Sequence, residues 1–298
     1  MAARTAATGT TKVSSAWLNG FLGVLIFSGS LPATRVAVAD FDPVFLTVAR
    51  ASIAGLLALV LLLVMRAARP SRGELFSLSL VALGVVVGFS LFTALALQHI
   101  TAAHSIVFIG LLPLTTAIFG VVRGAERPRP AFWLFAVLGA ACVVGFAIGR
   151  DAGASLRGDL LMLAAIVVCG FGYAEGGRLS RHLGGWQVIS WALLLSLPPM
   201  LVLCLAVRPA SWQQIGIPAW IGLAYVSLFS MLIGFVFWYR GLAQGGIAAV
   251  GQLQLLQPFL GLALAALLLH ETIGWPMLAA SGGLVLCVAG AKRFSGPR

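Results

Sequence analysis

Residues 101–126 read TAAHSIVFIGLLPLTTAIFGVVRGAE, and residues 246–271 read GIAAVGQLQLLQPFLGLALAALLLHE. Each stretch is an apolar run with a proline near its middle and a glutamate 13 residues later at its end. A membrane-crossing helix needs about 20 consecutive, mostly apolar residues, and both runs are that long. Set against each other at an offset of 145 residues, Pro113 meets Pro258 and Glu126 meets Glu271. Cys142, Val143 and Gly145 meet Cys287, Val288 and Gly290, while Leu97, Ala103 and Leu111 meet Leu242, Ala248 and Leu256. Eight identities in 49 columns carry little weight in an apolar alphabet. The weight rests on the proline and glutamate, which are rare in such runs.

Composition extends this reading to the whole chain. The 298 residues are 60% hydrophobic and only 9% charged, against roughly 25% charged in a soluble globular protein. Such a chain cannot cover a water-facing surface, so lipid is its expected solvent. The net charge of +11 does not point to nucleic acid. Its charges sit in short gaps between apolar runs, where they meet lipid headgroups, and no basic stripe with interleaved aromatics occurs. Cys142, Cys169, Cys204 and Cys287 lie inside apolar runs without metal-ligand spacing and read as small buried hydrophobes.

Ten spans can be marked: 17–38, 43–65, 75–97, 102–122, 131–149, 158–178, 185–207, 217–239, 246–269 and 274–291. The runs are continuous rather than alternating, which excludes a β-barrel. The expected fold is therefore an all-α polytopic membrane protein. Lys and Arg set its orientation. With the N-terminus cytoplasmic, fourteen of them fall in inside segments, from Arg4 and Lys12 to Lys292, Arg293 and Arg298. Only Arg150, Arg157 and Arg208 fall outside, and Arg35 and Arg50 lie within spans, which accounts for all 19. This bias puts both termini inside. Ala37-Val38-Ala39 after the first run also resembles a signal-peptidase site, but the repeat needs that segment, so a retained first helix is expected.

Each half, residues 1–149 and 150–298, then holds five spans. Five is odd, so the second half enters the membrane from the opposite side, with Glu126 facing the cytoplasm and Glu271 the exterior. Inverted repeats usually accompany transport, because one half can rock against the other around a midplane site.

These residues resemble the drug/metabolite transporter superfamily and its EamA-type two-repeat members. The matching stretches are Pro43 with Arg50, Leu111-Leu112-Pro113-Leu114 leading to Gly124-Ala125-Glu126, Gly158-Asp159-Leu160-Leu161, and Leu256-Gln257-Pro258 leading to His270-Glu271. Within that family the chain looks most like the YddG-type bacterial amino-acid exporters. The resemblance implies ten helices in two inverted repeats in a bacterial inner membrane.

Polar groups inside spans are costly and are functional candidates by default. Arg50 lies about two turns into span 2, where its guanidinium can hold a substrate carboxylate, snorkel outward or bond exposed carbonyls of a neighbouring helix. In span 9, Gln254 and Gln257 share a face before Pro258. The proline frees the carbonyl at Gln254, which favours a substrate site there over interhelical hydrogen bonding. Span 4 offers His104, Ser105 and Phe108. His104 is either a proton sensor or a satisfied residue near the interface. Span 1 contributes Ser30, and span 8 contributes Ser230, Trp238 and Tyr239, the two aromatics reading equally as an interfacial belt. Glu175 beside Arg178 reads as a solvated ion pair. Pro113 and Pro258 are candidate hinges.

An enzyme finds little support. His270-Glu271-Thr272 opens like a zinc-protease motif, yet position 274 is Gly where a second histidine is required. No nucleophile elbow or phosphate loop occurs, and neither metal nor cofactor is expected. A channel is the closer rival. The sequence therefore points to a monomeric exporter of small metabolites, amino acids foremost, with membrane lipid and a small-molecule solute as its partners. Drugs, nucleosides or sugar derivatives are the alternative cargoes. No deeply placed carboxylate pair is present, so downhill export is expected over proton coupling.

Overall fold

The structure, a computed structural model, describes residues 2–124, 129–148, 155–245 and 251–294. Glu126, with Ala125 before it, lies outside the described residues, as do Arg150, Ala248 and Arg298.

All regular structure among the described residues is helical. In the first half α1 (Ala2–Ser28), α2 (Ser30–Ala37) and α3 (Pro43–Val64) are followed by α4 (Arg72–Val81), a π-helical stretch (Ala82–Phe89) and α5 (Ser90–Ala96). Then come α6 (Ala102–Ile109), α7 (Leu112–Gly124) and α8 (Pro130–Ile148). The second half holds α9 (Leu156–Leu183), α10 (Gly185–Ala206), α11 (Ile217–Tyr225), a second π-helical stretch (Val226–Ile233) and α12 (Gly234–Gly245). A 3₁₀ turn (Gly251–Leu256), α13 (Gln257–Leu269) and α14 (Trp275–Arg293) complete it.

Seven helical stretches are long and apolar enough to cross a membrane: Ser15–Ala37, Pro43–Val64, Arg72–Ala96, Ala102–Gly120, Leu156–Leu183, Gly185–Ala206 and Ile217–Gly241. Shorter apolar helices, Pro130–Val143, Leu253–Leu269 and Trp275–Gly290, lie where spans 5, 9 and 10 were expected.

Local chemistry explains where helices start. Asp42 caps α3, its Oδ1 accepting from Val44 N at 2.8 Å and Phe45 N at 3.1 Å, with Pro43 at the first helical position, where the missing N–H costs nothing. Ser71 and Glu74 close a reciprocal capping box on α4. Thr101 accepts from His104 N at 3.1 Å to start α6. Between α9 and α10 the chain turns at Gly184, whose φ of +87° suits glycine.

Three spans expected as continuous helices are interrupted. The first breaks at Gly29, where a side chain would run into Tyr225: an added Cβ would lie 2.4 Å from its hydroxyl oxygen. That hydroxyl donates to the Ile26 carbonyl at 2.7 Å, on the oxygen that also accepts from Gly29 N at 3.2 Å at the end of α1. Span 4 breaks at Gly110–Leu111, just before Pro113. Span 9 enters Pro258 through the 3₁₀ turn rather than an α-helix. In the last two, proline removes the amide that an unbroken helix would use.

The repeat is visible in the packing. α3 packs on α10 and α8 on α14, each a pair of elements related by the internal offset. α1 packs on α12 while α9 packs on α4, α5 and the π stretch between them, and α7 packs on α9 while α13 packs on α1. This exchange of roles is what a two-fold relation between the halves produces. An added Cβ on Gly283 would lie 3.5 Å from the sulfur of Cys142, and one on Gly139 3.4 Å from Cys287 Cβ, so the aligned cysteines of α8 and α14 lie near the axis.

Contacts between helix ends fall into two groups. At one end Asp40 accepts from Gly216 N at 2.8 Å, Arg35 donates to the Leu97 carbonyl, and Glu271 accepts from Ala102 N at 3.0 Å and Ala103 N at 2.7 Å. At the other, Asn19 donates to Gln244 at 3.1 Å, Arg178 to Ser77 at 3.0 Å and Arg129 N to the Phe294 carbonyl at 3.1 Å. Successive spans along the chain therefore run in alternating directions.

Helices approach closely where one of them is glycine. A Cβ at Gly185 would lie 2.4–2.7 Å from Tyr239 backbone and Cβ atoms, whereas one at Gly282 would meet nothing within 4 Å. Gly185→Ala is expected to destabilise the purified protein by about 1–3 kcal/mol through overpacking. Gly282→Ala should stabilise it by up to about 1 kcal/mol as a better helix former. Thermal unfolding in detergent measures both.

Candidate functional site

A cavity opens where the interrupted helices meet. It is reached by α1 and α2, α3, the first π stretch with α5, α6 and α7, α9, the second π stretch with α12, and α13. These belong to spans 1, 2, 3, 4, 6, 8 and 9, so both halves contribute. The space open to water centres is about 30 Å³, room for two or three waters at roughly 10–15 Å³ each. An amino acid does not fit until the walls move apart.

Arg50 forms the polar pole. It lies on α3 and is 3% exposed. Its Nη2 points at the Val226 carbonyl and at Ser230 Oγ, both at 3.4 Å, and its Nε has no partner. These contacts are long for a guanidinium, whose charge-assisted bonds run about 2.7–2.9 Å. No carboxylate lies within ion-pair distance of it among the described residues.

The neighbouring hydroxyls come from both halves. Ser30 Oγ and Ser230 Oγ share a hydrogen bond of 2.7 Å. Ser30 opens α2 just after the break at Gly29, and Ser230 lies in the π stretch that also presents the Val226 carbonyl. Gln257, at the start of α13, and Ser90, whose hydroxyl has no partner, complete the polar lining. The opposite wall is aromatic. Phe27 and Phe235 have ring centroids 4.8 Å apart, and Tyr173 meets Phe235 edge-on at 5.8 Å.

Of the candidates read from sequence, Ser30, Arg50, Ser230 and Gln257 line this cavity. The others lie elsewhere. Gln254 is buried one turn before Gln257, and its side-chain nitrogen has no partner. Trp238 and Tyr239 do not form an interfacial belt. They are 2% and 0% exposed, because Gly23 opposite Trp238, and Gly176 and Gly185 opposite Tyr239, let neighbouring helices close over them. Pro113 and Pro258 each stand at the second residue of a helix that follows a break. Glu175 and Arg178 pair at 2.6 Å, but only the guanidinium is solvated, since the carboxylate side chain is 1% exposed.

His104, Ser105 and Phe108 are all buried at the end of the bundle that holds Glu271. His104 Nε2 meets Asp159 Oδ1 at 2.7 Å, and Ser105 donates to the Ala102 carbonyl at 2.8 Å. His104 is thus a paired core residue rather than an interfacial one.

Sequence reasoning missed Ser90, Tyr173 and the aromatic wall. It also missed the π stretches at Ala82–Phe89 and Val226–Ile233, which fall within one residue of equivalence under the 145-residue offset. π-Turns frequently mark functional sites, and here each contributes to the cavity wall. The only signal for Ser90 and Tyr173 was their polarity inside apolar runs.

The Tyr239 hydroxyl is buried, unpartnered and outside the cavity. Tyr239→Phe removes an unsatisfied polar group that costs about 1–3 kcal/mol. The variant is expected to melt at or above the wild-type temperature and to keep wild-type solute flux. Reduced flux with normal stability would make Tyr239 part of the path.

Comparison with known proteins follows the same division. Two segments, residues 14–148 and 156–291, each match the EamA-like transporter family. An uncharacterized transporter of Bacillus subtilis, YdeK, is 66% identical over 284 residues, which is 95% of this chain and 99% of that protein. An uncharacterized transporter of Archaeoglobus fulgidus is 25% identical over 260 residues, 84% of this chain and 88% of that protein. A crystal structure with 21% identity superposes at a TM-score of 0.65 over 95% of this chain and 98% of that one, showing a shared fold.

Proposed function

Since the chain belongs to the EamA-like transporter family, we propose that it exports small metabolites bearing a carboxylate, amino acids foremost, by alternating access. In this reading it is a monomer in a bacterial inner membrane. Ten spans form two inverted repeats, residues 1–149 and 150–298, with both termini cytoplasmic. Bias of Lys and Arg toward one set of gaps supports that orientation. The alternation of helix-end contacts supports the opposed repeats. It is within this reading that the YddG-type resemblance bears on the cargo.

One observation carries the substrate class: the guanidinium of Arg50 is buried, shared between the repeats, and without an anionic partner among the described residues. An arginine at the centre of a helix costs about 2.5–3.5 kcal/mol to insert, and a cation left without a counter-charge destabilises the fold further. A solute carboxylate offers that counter-charge and two short parallel bonds. Ser30, Ser230 and Gln257 supply hydrogen bonds for an amino group. Phe27, Tyr173 and Phe235 give a side chain an apolar wall.

The cavity is too small to hold an amino acid as it stands. Widening it requires the halves to separate, and the breaks at Gly110–Leu111 and before Pro258 are where the helices can bend. A channel would keep a continuous path instead.

Reconstitution of the purified protein in liposomes loaded with mixed radiolabelled amino acids tests the reading. Saturable counterflow is expected, with Arg50→Ala reducing it at least about tenfold, a loss of 1.4 kcal/mol or more. Arg50→Lys should fall between, since it keeps the charge and loses the fork. Gln254→Ala should transport normally and Gln257→Ala should not. Unchanged counterflow in Arg50→Ala refutes the site. Flux without saturation or counterflow makes the protein a channel.

A further inference from the structure

The end of the bundle that holds Glu271 is tied across the repeats by Asp40 with Gly216 and by two further contacts on α6. The Glu271 carboxylate, from the second repeat, takes the amides of Ala102 and Ala103 at the start of α6 in the first. Two residues further on, His104 Nε2 of the first repeat meets Asp159 Oδ1, in the first turn of α9 in the second, at 2.7 Å. The imidazole is 0% exposed and Asp159 5%. Phe146 and Phe108 cover the ring, with centroids 4.6 and 5.8 Å away. His104 Nδ1 has no partner.

Among the described residues, the other charged and titratable groups on the surrounding elements do not engage the imidazole. Arg35 on α2 donates to the Leu97 carbonyl. His99, Arg157 and His270 are exposed, Glu271 is held by the two amides, and Cys142 and Cys287 lie beside each other on α8 and α14. Among the described residues, His104 has Asp159 as its sole polar side-chain partner.

In so dry a place net charge decides the energetics. An imidazolium against a carboxylate is neutral as a pair. Loss of one proton leaves a net negative charge walled by aromatic rings, and a buried charge without compensation is costly. Parting the two helices lets water reach Asp159 and removes that cost. The means to part exists: α6 is only eight residues long and ends at the Gly110–Leu111 break. Ile109, about 7 Å along the helix from His104, already lines the cavity. Displacement of α6 at this end therefore opens the site toward one side.

We propose that His104 and Asp159 form a proton-binding site that latches the two repeats together at the Glu271 end, so that releasing the proton frees that end to open. This rests on the alternating-access reading above. Solute release on that side then accelerates as the proton leaves. A single histidine and a single aspartate suffice, so the proton site needs no pair of carboxylates.

The test uses the full-length protein in which the four native cysteines are replaced and Ser105→Cys, one residue from the latch, reports opening. An impermeant maleimide is applied to the Glu271 side at about pH 5.5 and about pH 8.5, either side of the ordinary histidine range. Thr272→Cys, exposed at the same end, corrects for the reactivity of the thiol itself. Corrected labelling is expected to rise about tenfold at the higher pH, equivalent to 1.4 kcal/mol of opening. His104→Gln with Asp159→Asn, a neutral pair that retains a donor and an acceptor, should label slowly at both. Asp159→Asn alone should lose the pH response, which keeps the test decisive if the double variant does not fold. Corrected labelling that does not change with pH in the parent, or a response that survives Asp159→Asn, overturns the latch. Labelling needs no solute, so this outcome is separate from that of the Arg50 counterflow.

Discussion

The charge on Arg50 is the group the surrounding structure most needs to accommodate. Lipid offers no hydrogen bonds, so a polar atom in a span must find its partner inside the bundle or in a cavity within it. Most do: hydroxyls of Ser28, Thr34, Thr47 and Ser52 donate back to carbonyls four residues earlier at 2.7–2.8 Å. Arg50 does not, having only a carbonyl and a hydroxyl at 3.4 Å. An incompletely satisfied charge at a shared seam is unfavourable for stability and well suited to a solute that brings its own anion. The breaks around it serve the same need. Ser30 just after the break at Gly29, and the Val226 carbonyl at the start of the second π stretch, both lie at this seam.

Two-fold pairing of the halves gives the molecule a way to change state. α3 with α10 and α8 with α14 sit on the axis, while the remaining helices exchange partners between repeats. In the proposed alternating-access reading, opposed repeats have two equivalent ways of leaning on each other, and the same seam then faces one side or the other. The sequence is not symmetric at the seam, however. Arg50 aligns with Leu195 and Ser230 with Val85, so charge and hydroxyl come from opposite halves and meet once. The His104–Asp159 pair likewise has no counterpart, since these positions align with Ala249 and Ser14. Such asymmetry can give the two ends different gates.

How much was legible depended on the range of the interaction. Continuous apolar runs announced the helices, because a membrane-crossing segment has to satisfy its own backbone. Arg50, Ser30, Ser230 and Gln257 were legible since polarity inside such runs is costly wherever it occurs. Trp238 and Tyr239 misled, because burial depended on glycines at positions 23, 176 and 185 that pack against them only in the folded chain. The pairing of His104 with Asp159 spans 55 residues, and Asp159 stood in the sequence only as part of a helix-opening motif. The π stretches left no pattern, as their register is set by packing against neighbouring helices.

A structure of the protein bound to an amino acid it exchanges tests the central claim most directly. The account predicts the carboxylate against the Arg50 guanidinium at about 2.7–2.9 Å, with the Ser230 and Val226 contacts released and the cavity enlarged. A solute bound elsewhere, with Arg50 still resting on Val226 and Ser230, would contradict it.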